Sequence, residues 1–519
     1  MPPTRSQDTA FTGLSDLVRL IGGIDPQRVA VSDGRSQATW GELDAATSRC
    51  AQAMLAAGLS AGDRVVLQLG ARVEFLQLYF GALRAGLVVV PVNPGYTSVE
   101  MNYVLADSGA RLLVTESPEA ASAATSAVEL VILTGRATEA GNGAAGGVRT
   151  LEAFLAAAER DDDPRSDRSG ESIAIVLYTS GTSGYPKGAM LSVRALLGNL
   201  AQIAEVEPQL ITASDVVLVP LPLFHIYGLN AALCAALHVG ATVVLAERFD
   251  AAATLATMRA ERISAVVGAP GMFVQWAAHP NFAEGFESVR FALSGAAPLS
   301  PTLVQLYADI GIALYEGYGL TETAPVLALN AIDAGGAPRA GSVGKPLPGV
   351  ELQLRNSDGS VIDAEDEDPG QLFVRGANLF SGYWPDGRGG PDEEGWFATG
   401  DIAIIESSGA LLLVGRTSDL IIVNGFNVYS AEVERVLGQV AGVAEVAVVG
   451  IPDEQTGEAV AAFVVPARGE TLEVEELVAK SAKSLARYKL PTRVRIVDTL
   501  PHTVTGKVQK WRLLKDATH

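Results

Sequence analysis

Tyr178-Thr-Ser-Gly-Thr-Ser-Gly-Tyr-Pro-Lys-Gly188 decides how the rest of this chain is read. Ile173–Leu177 ahead of it is short, apolar and rich in isoleucine and valine, the pattern of a buried strand. Gly181 and Gly184 let backbone N–H groups turn toward an anion with no Cβ in the way. Thr179, Ser180, Thr182 and Ser183 add hydroxyl donors, and Lys187 adds a positive charge. By composition this is a phosphate cradle. It is not the common P-loop, in which Gly-Lys-Ser/Thr opens a helix, because Lys187 here follows Pro186. An ordinary Ser/Gly surface loop seldom gathers so many anion donors directly after a core strand.

The surrounding chain has room for such a site. Its 519 residues allow several sub-cores and more than one domain. Acidic residues outnumber basic ones 59 to 38, for a net charge of −21. That balance opposes non-specific binding to nucleic acid and an electrostatic hold on anionic lipid, so an anionic substrate must be met by local donors. Cys50 and Cys234 stand far apart and supply neither a disulfide framework nor a zinc spacing, which points to a reducing cytoplasm. The first residues lack the apolar core of a signal peptide, and no apolar run approaches the ~20 residues that span a bilayer.

Helix and strand patterns alternate along the first part of the chain. Leu43–Ala57 and Glu74–Ala85 read as helices, and Arg64–Leu69 and Leu87–Pro91 as strands. The rhythm continues with strands at Val216–Val219, Ala241–Leu245, Ala265–Val267 and Phe291–Leu293, as in an α/β sheet. After about residue 340 short strands and turns predict a small β-rich subdomain. From Ile421 onward a compact α+β segment follows, with a helix at Glu432–Leu437 and strands at Val446–Val449 and Ala461–Val465. Gly58-Leu-Ser-Ala-Gly62 matches a serine-hydrolase elbow in letters, but a helix precedes it and a strand follows. That order is reversed for an elbow and predicts a plain turn.

Further stretches carry chemistry. His225 lies in Pro222-Leu-Phe-His-Ile-Tyr-Gly228 just after a strand, where α/β sheets place ligand sites. Ser294-Gly-Ala-Ala-Pro298 is small and flat enough for a planar ring to approach. Tyr315-Glu-Gly-Tyr-Gly-Leu-Thr-Glu-Thr323 offers an aromatic face, a hydroxyl and a carboxylate; a carboxylate beside phosphates is a natural Mg²⁺ ligand. Asp401, after Thr399-Gly400, is suited to accept from a ribose diol, and Lys507 stands in Pro501-His-Thr-Val-Thr-Gly-Lys507 near the C-terminus.

Together and in this order, from Thr39-Trp-Gly-Glu-Leu43 to Lys507, these stretches resemble the adenylate-forming superfamily. Phe224-His-Ile-Tyr-Gly-Leu-Asn230 with Ser294–Pro298 is similar to its acyl-CoA synthetase and 4-coumarate–CoA ligase branch. The resemblance implies an α/β multidomain fold. A large N-terminal domain of mixed sheets with flanking helices and a small β-rich subdomain would occupy 1–416, with subdomains at about 1–170, 171–340 and 341–416. A small mobile α+β C-terminal lid would occupy 417–519. It also implies a two-step reaction with ATP, Mg²⁺ and CoA: a carboxylic acid becomes acyl-AMP, and a thiol then displaces AMP.

The resemblance assigns roles residue by residue. Thr179, Ser180, Gly181, Thr182, Ser183, Gly184 and Lys187 would hold the β- and γ-phosphates. Glu322 would bind Mg²⁺. Tyr318 would stack on adenine beside Gly295, Ala296, Ala297, Glu316 and Gly317, with Gly319 facing nucleotide and acid. Thr321 would reach the α-phosphate, Asp401 and Arg416 the ribose, and the loop near Gly425 the pantetheine arm. His225, Tyr227, Gly295 and Gly319 would shape the acyl pocket. The catalytic set is Lys507, Glu322, Thr182 and His225, with Lys507 bridging carboxylate and α-phosphate oxygens.

Val266–Trp276 is expected to line the acyl pocket; it is apolar and has no basic residue to pair a second carboxylate, which opposes a dicarboxylate such as malonate. The expected substrate is a medium- or long-chain fatty acid, with an aryl or hydroxycinnamoyl acid as runner-up. The chain departs from the family pattern at the hinge, where Ser418 replaces the usual Asp or Lys, and at Ile422 and Asn424, where many CoA ligases carry lysines. These departures keep a second acceptor open, the thiol of an acyl carrier protein. A degenerate nucleotide-binding regulator is opposed by the presence of Lys187, Glu322, Asp401, Arg416 and Lys507 together. The stretch Trp384–Gly395, rich in Gly, Asp and Pro, has no functional reading at this level.

Overall fold

The computed structural model describes residues 11–124, 127–134, 148–156, 164, 170–179, 186–332, 341–362, 368–423, 426–453, 456–502 and 508–517. Among them the strands form four sheets. Val66, Val88, Val90, Leu113 and Val131 face one way from the first sheet, while Val65, Leu67 and Val89 face the other, and both sets are buried. Parallel strands covered on both faces read as continuous apolar runs, which is why Arg64–Gln68, Val88–Pro91 and Leu112–Thr115 carry so little polar alternation.

That first sheet has seven strands, in the order Val148–Thr150, Leu130–Leu133, Leu112–Thr115, Arg64–Gln68, Val88–Pro91, Ile173–Thr179 and Lys187–Ser192. All neighbours are parallel except the last pair, an antiparallel hairpin. The second sheet has nine strands: Lys345–Pro346, Val326–Leu329, Leu314–Gly319, Phe291–Ser294, Ala265–Gly268, Val216–Val219, Thr242–Leu245, Val29–Ser32 and Gln37–Thr39. The run from Leu314–Gly319 to Val29–Ser32 is parallel.

Helices fill the space between these sheets and cover their outer faces. Trp40–Ala56 and Val73–Arg84 share one buried cluster with Val65 and Leu67 of the first sheet and Val217 and Val219 of the second. The longer helix starts at a reciprocal cap: Glu42 N–H donates to Thr39 Oγ1 at 3.2 Å, and Thr39 N–H to Glu42 Oε2 at 2.9 Å. Such a cap is worth ~1 kcal/mol. Gly58–Gly62 lies between that helix and the strand Arg64–Gln68, so it is the turn its order predicted.

Sheet membership crosses the expected subdomain boundary near 170. Ile173–Thr179 and Lys187–Ser192 belong to the first sheet, because the chain, after reaching one edge at Val148–Thr150, comes back to pair Ile173–Thr179 with Val88–Pro91. Val29–Ser32 and Gln37–Thr39 belong to the second, where Val31 pairs with Val243. The expected β-rich part is a four-stranded antiparallel sheet of Glu351–Arg355, Gly370–Arg375, Phe397–Ile405 and Leu411–Arg416.

The C-terminal part builds its own sheet from Leu420–Val423, Phe426–Tyr429, Val443–Asp453, Gly457–Pro466 and Arg493–Ile496. Ser430–Gly438 and Val474–Ser481 cover one face through Val433, Leu437 and Leu477. Leu500 and Leu513 pack on the other. Cys50 and Cys234 are free and buried. No helix among the described residues is long and apolar enough to cross a membrane.

Candidate active site

Four adjacent parallel strands of the nine-stranded sheet end at one edge, and the motifs follow their carboxyl ends. The segment with His225 and Tyr227 follows Val216–Val219; Ala269 follows Ala265–Gly268; Gly295–Pro298 follows Phe291–Ser294; and Leu314–Gly319 runs into a 3₁₀ turn, Thr321–Thr323. Ligands of α/β sheets bind at such an edge.

His225 Nδ1 accepts the Tyr227 backbone N–H at 3.2 Å, so a neutral ring carries its proton on Nε2. Burial pushes the imidazole pKa down to about 4, and His225 acts near neutrality as an uncharged donor. Tyr227 opens a wholly buried π-helix, Tyr227–Cys234, a form enriched at functional sites and one that no sequence signal announced. Its hydroxyl donates to the carbonyls of Gly268 at 3.2 Å and Leu293 at 3.4 Å, tying two strand ends together. Its ring lies against Gly295, where a Cβ would stand 2.8 Å from Tyr227 Cζ. Beside it Ala296 holds φ at 73° and Ala324 holds 63°, a left-handed backbone that costs an L-residue ~1–2 kcal/mol.

The expected acyl wall divides. Val267 joins the cluster of Tyr227 and Leu293, but Val266, Phe273 and Trp276 pack on the other face of the sheet with Phe286 and Tyr307. Trp276 Nε1–H donates to Thr254 Oγ1 at 2.8 Å, which commits it to the core. Strand alternation causes the split, so Val267–Ala269 and Met272 remain of the stretch Val266–Trp276.

Tyr318 and Asp401, both buried, meet across two sheets: the phenol donates to Asp401 Oδ2 at 2.5 Å. Arg416 Nε lies 3.1 Å from Asp401 Oδ1, and the two residues are cross-strand partners. Burial, then the Asp401 charge, raises the Tyr318 phenol well above its usual pKa and keeps it a donor. The adenine and ribose residues expected from sequence are thus one hydrogen-bonded group. Gly319 has no alternative, because a Cβ there would run into the Pro325 carbonyl. Gly317 packs near Leu329. Glu316 is turned inward: its carboxyl accepts the Leu299 N–H at 3.3 Å, and burial pushes its pKa up to about 7.

On the phosphate side, Thr179 and Lys187 are paired at the end of the hairpin that adjoins its connecting loop. Ser180, Gly181, Thr182, Ser183 and Gly184 lie outside the described residues. Lys187 is exposed, and its Nζ stands 5.5 Å from the centroid of the Tyr383 ring. The Tyr383 hydroxyl donates to Glu322 Oε1 at 2.6 Å. Tyr383 was missed from sequence; it sits in Ser381-Gly-Tyr-Trp384 at the head of the stretch left without a reading. Thr321, half-buried, begins the Glu322 turn. Among the described residues no cluster of three or more His, Cys, Asp or Glu could cage a metal. A lone carboxylate beside a phosphate cradle fits Mg²⁺, which takes one or two carboxylates and completes its shell with phosphate oxygens and water.

Lys507 and Gly425 lie outside the described residues, as does Asn424. His502 and Val508, on either side of Lys507 in sequence, are joined by an isolated antiparallel bridge. At the expected hinge, Thr417–Asp419 forms one 3₁₀ turn after Arg416. Lys510 Nζ meets Asp419 Oδ2 at 3.4 Å and Glu434 Oε1 at 2.7 Å, tying the hinge to the C-terminal helix.

Comparison with known proteins accounts for this arrangement. The model of the AMP-binding enzyme family matches residues 24–384, and that of the AMP-binding enzyme C-terminal domain matches 432–507. The chain is 35% identical over 491 residues to a feruloyl-CoA synthase of an Amycolatopsis species, covering 94% of this chain and 95% of that one. It is 32% identical over 480 residues to a long-chain-fatty-acid–CoA ligase of Mycobacterium tuberculosis, covering 91% and 92%. The solved structure of ATP-bound MatB from Rhodopseudomonas palustris superposes with a TM-score of 0.86 at 31% identity, over 97% of this chain and 99% of that one.

Proposed function

We propose that this chain, which belongs to the AMP-binding enzyme family and is an AMP-forming acyl-CoA synthetase, activates a medium- or long-chain fatty acid and transfers it to CoA. In the first step a carboxylate oxygen attacks the α-phosphorus of ATP. A C–O–P linkage forms, the bond between the α-phosphorus and the bridging oxygen breaks, and pyrophosphate leaves. In the second the CoA sulfur attacks the acyl carbon, a thioester forms, the bond to AMP breaks, and the thiol proton passes to solvent.

Two anions must meet in the first step, so catalysis is largely electrostatic. Tyr318, Asp401 and Arg416 hold the nucleoside. Thr179 through Gly184, with Lys187, hold the β- and γ-phosphates. Lys507 bridges the carboxylate and α-phosphate oxygens as charge develops, and Thr182 and Thr321 donate to the phosphates. Glu322 would hold Mg²⁺, which supplies charge neutralisation to the phosphate oxygens when bound. His225, kept neutral, offers its Nε2–H without adding charge to an apolar site.

The observation that carries the choice of acid is the Tyr227 hydroxyl. It donates to the main-chain carbonyls of Gly268 and Leu293, and the rest of that wall, Val267–Ala269 and Met272, is apolar. A substrate ring oxygen that needs a donor finds the Tyr227 proton already committed, and burying it there without one would cost ~1–3 kcal/mol. An alkyl chain incurs no such cost. The aryl reading draws its support from the similarity to a feruloyl-CoA synthase. Comparing kcat/KM for octanoate, palmitate, cinnamate and ferulate separates the two. An alkyl acid leading supports the proposal; ferulate leading overturns it in favour of an aryl-CoA ligase.

A further inference from the structure

We propose that Tyr383 is a positioning residue that sets the Glu322 carboxylate for the divalent cation and couples it to the strand bearing Lys187. This rests on the reading of Glu322 as the metal ligand, and it concerns a residue with no other place in the reaction.

The geometry begins in the backbone. Residues 380–384 run beside the strand Lys187–Ser192: Trp384 N–H donates to the Gly188 carbonyl at 2.7 Å, Met190 N–H to Gly382 at 3.0 Å, and Ser381 N–H to Met190 at 2.9 Å. The same strap grips the Glu322 turn twice. Phe380 N–H donates to the Glu322 carbonyl at 2.9 Å, and the Tyr383 hydroxyl donates to Glu322 Oε1 at 2.6 Å. One short segment thus fixes Glu322 by main chain and side chain, and is itself hydrogen-bonded to the strand that starts at Lys187.

The tyrosine is built to stay in place. Phe380 and the ring meet edge to face with centroids 5.1 Å apart, and Gly389 packs against the ring's Cδ2–Cε2 edge, where a Cβ would stand 3.1 Å from Cδ2. Lys187 Nζ lies over the ring at 5.5 Å, within cation–π range. A carboxylate held at Oε1 by a hydroxyl donor presents Oε2 in a fixed direction. Outer partners of this kind orient metal ligands elsewhere, and their loss typically costs ~10–100-fold in metal affinity or activity.

The test compares Tyr383→Phe, which keeps the ring and loses the hydroxyl, with Glu322→Gln and the parent protein. Calorimetry measures affinity for a non-hydrolysable ATP analogue, first metal-free in chelator and then loaded with Mn²⁺. The ratio of the two affinities reports the metal contact without turnover. We expect Tyr383→Phe to lower that ratio about five- to tenfold, with metal-free affinity and melting temperature near the parent's, and pyrophosphate exchange to recover at raised Mg²⁺. Glu322→Gln should lose most of the ratio. A parental ratio in Tyr383→Phe beside a lost ratio in Glu322→Gln overturns the role of Tyr383 and leaves that of Glu322 standing. An equal loss of metal-free and metal-loaded affinity in Tyr383→Phe also overturns it, since that is a structural effect. A parental ratio in Glu322→Gln overturns the metal-ligand reading and the inference with it.

Discussion

The Tyr318 hydroxyl donates to Asp401 Oδ2 at 2.5 Å and so joins the nine-stranded sheet to the four-stranded antiparallel sheet at the point where the nucleoside is expected. Tyr318→Phe removes a hydrogen bond to a buried carboxylate, worth ~1.5–3 kcal/mol. The KM for ATP should rise about ten- to a hundredfold by that amount, with the KM for the acid changing far less. Initial rates with each substrate varied in turn check this.

Gly295→Ala places a methyl group 2.8 Å from Tyr227 Cζ and forces that ring to move. Overpacking of this kind costs ~1–3 kcal/mol. The kcat/KM for the acid should fall at least about tenfold while ATP affinity falls less, because Tyr227 is proposed to line the acyl side. Preference should also shift toward shorter acids, measured as relative kcat/KM along a chain-length series.

Glu316 carries a stability signature. Its carboxyl holds its proton up to about 7 in the folded protein, against an ordinary value of 4.5. Between those values the native state binds more protons than the unfolded chain, so stability from this residue is present below pH 4.5 and is lost as pH rises through about 7. The whole interval is worth ~3 kcal/mol. Melting temperature for Glu316→Gln, relative to the parent, should therefore rise with pH across that window and level off above it. A difference that is flat in pH contradicts the assignment.

On the proposed role of Lys507, Lys507→Ala removes a charge used in the first step and not in the second. Acid-dependent ATP–pyrophosphate exchange should fall at least about a hundredfold, whereas thioester formation from supplied acyl-AMP should fall far less. Equal losses in both would give Lys507 a general structural role instead.

Much of this was legible in the sequence, for physical reasons. Parallel strands buried on both faces are short apolar runs, so Val216–Val219 and its neighbours announced themselves. Anion donors, a lone carboxylate and glycines under close contact are required by residue type, so Lys187, Glu322, Gly295 and Gly319 could be picked out. What stayed hidden depends on the third dimension. Alternation sent Trp276 and Phe273 into the core although both lie in an apolar stretch that suited a pocket. The return of Ile173–Thr179 to the first sheet could not be read from its own apolar run. Tyr383 became visible only when its strap lay between Lys187 and Glu322, because neither spacing nor composition marks a residue whose role is to hold another.

The most direct test of the account runs ATP–pyrophosphate exchange with palmitate and octanoate, first without CoA and then with CoA and thioester detection. The account predicts acid-dependent exchange without CoA, and one thioester and one AMP formed per ATP once CoA is present. Exchange that persists with no thioester would contradict transfer to CoA, and no exchange with any carboxylic acid would contradict adenylation itself.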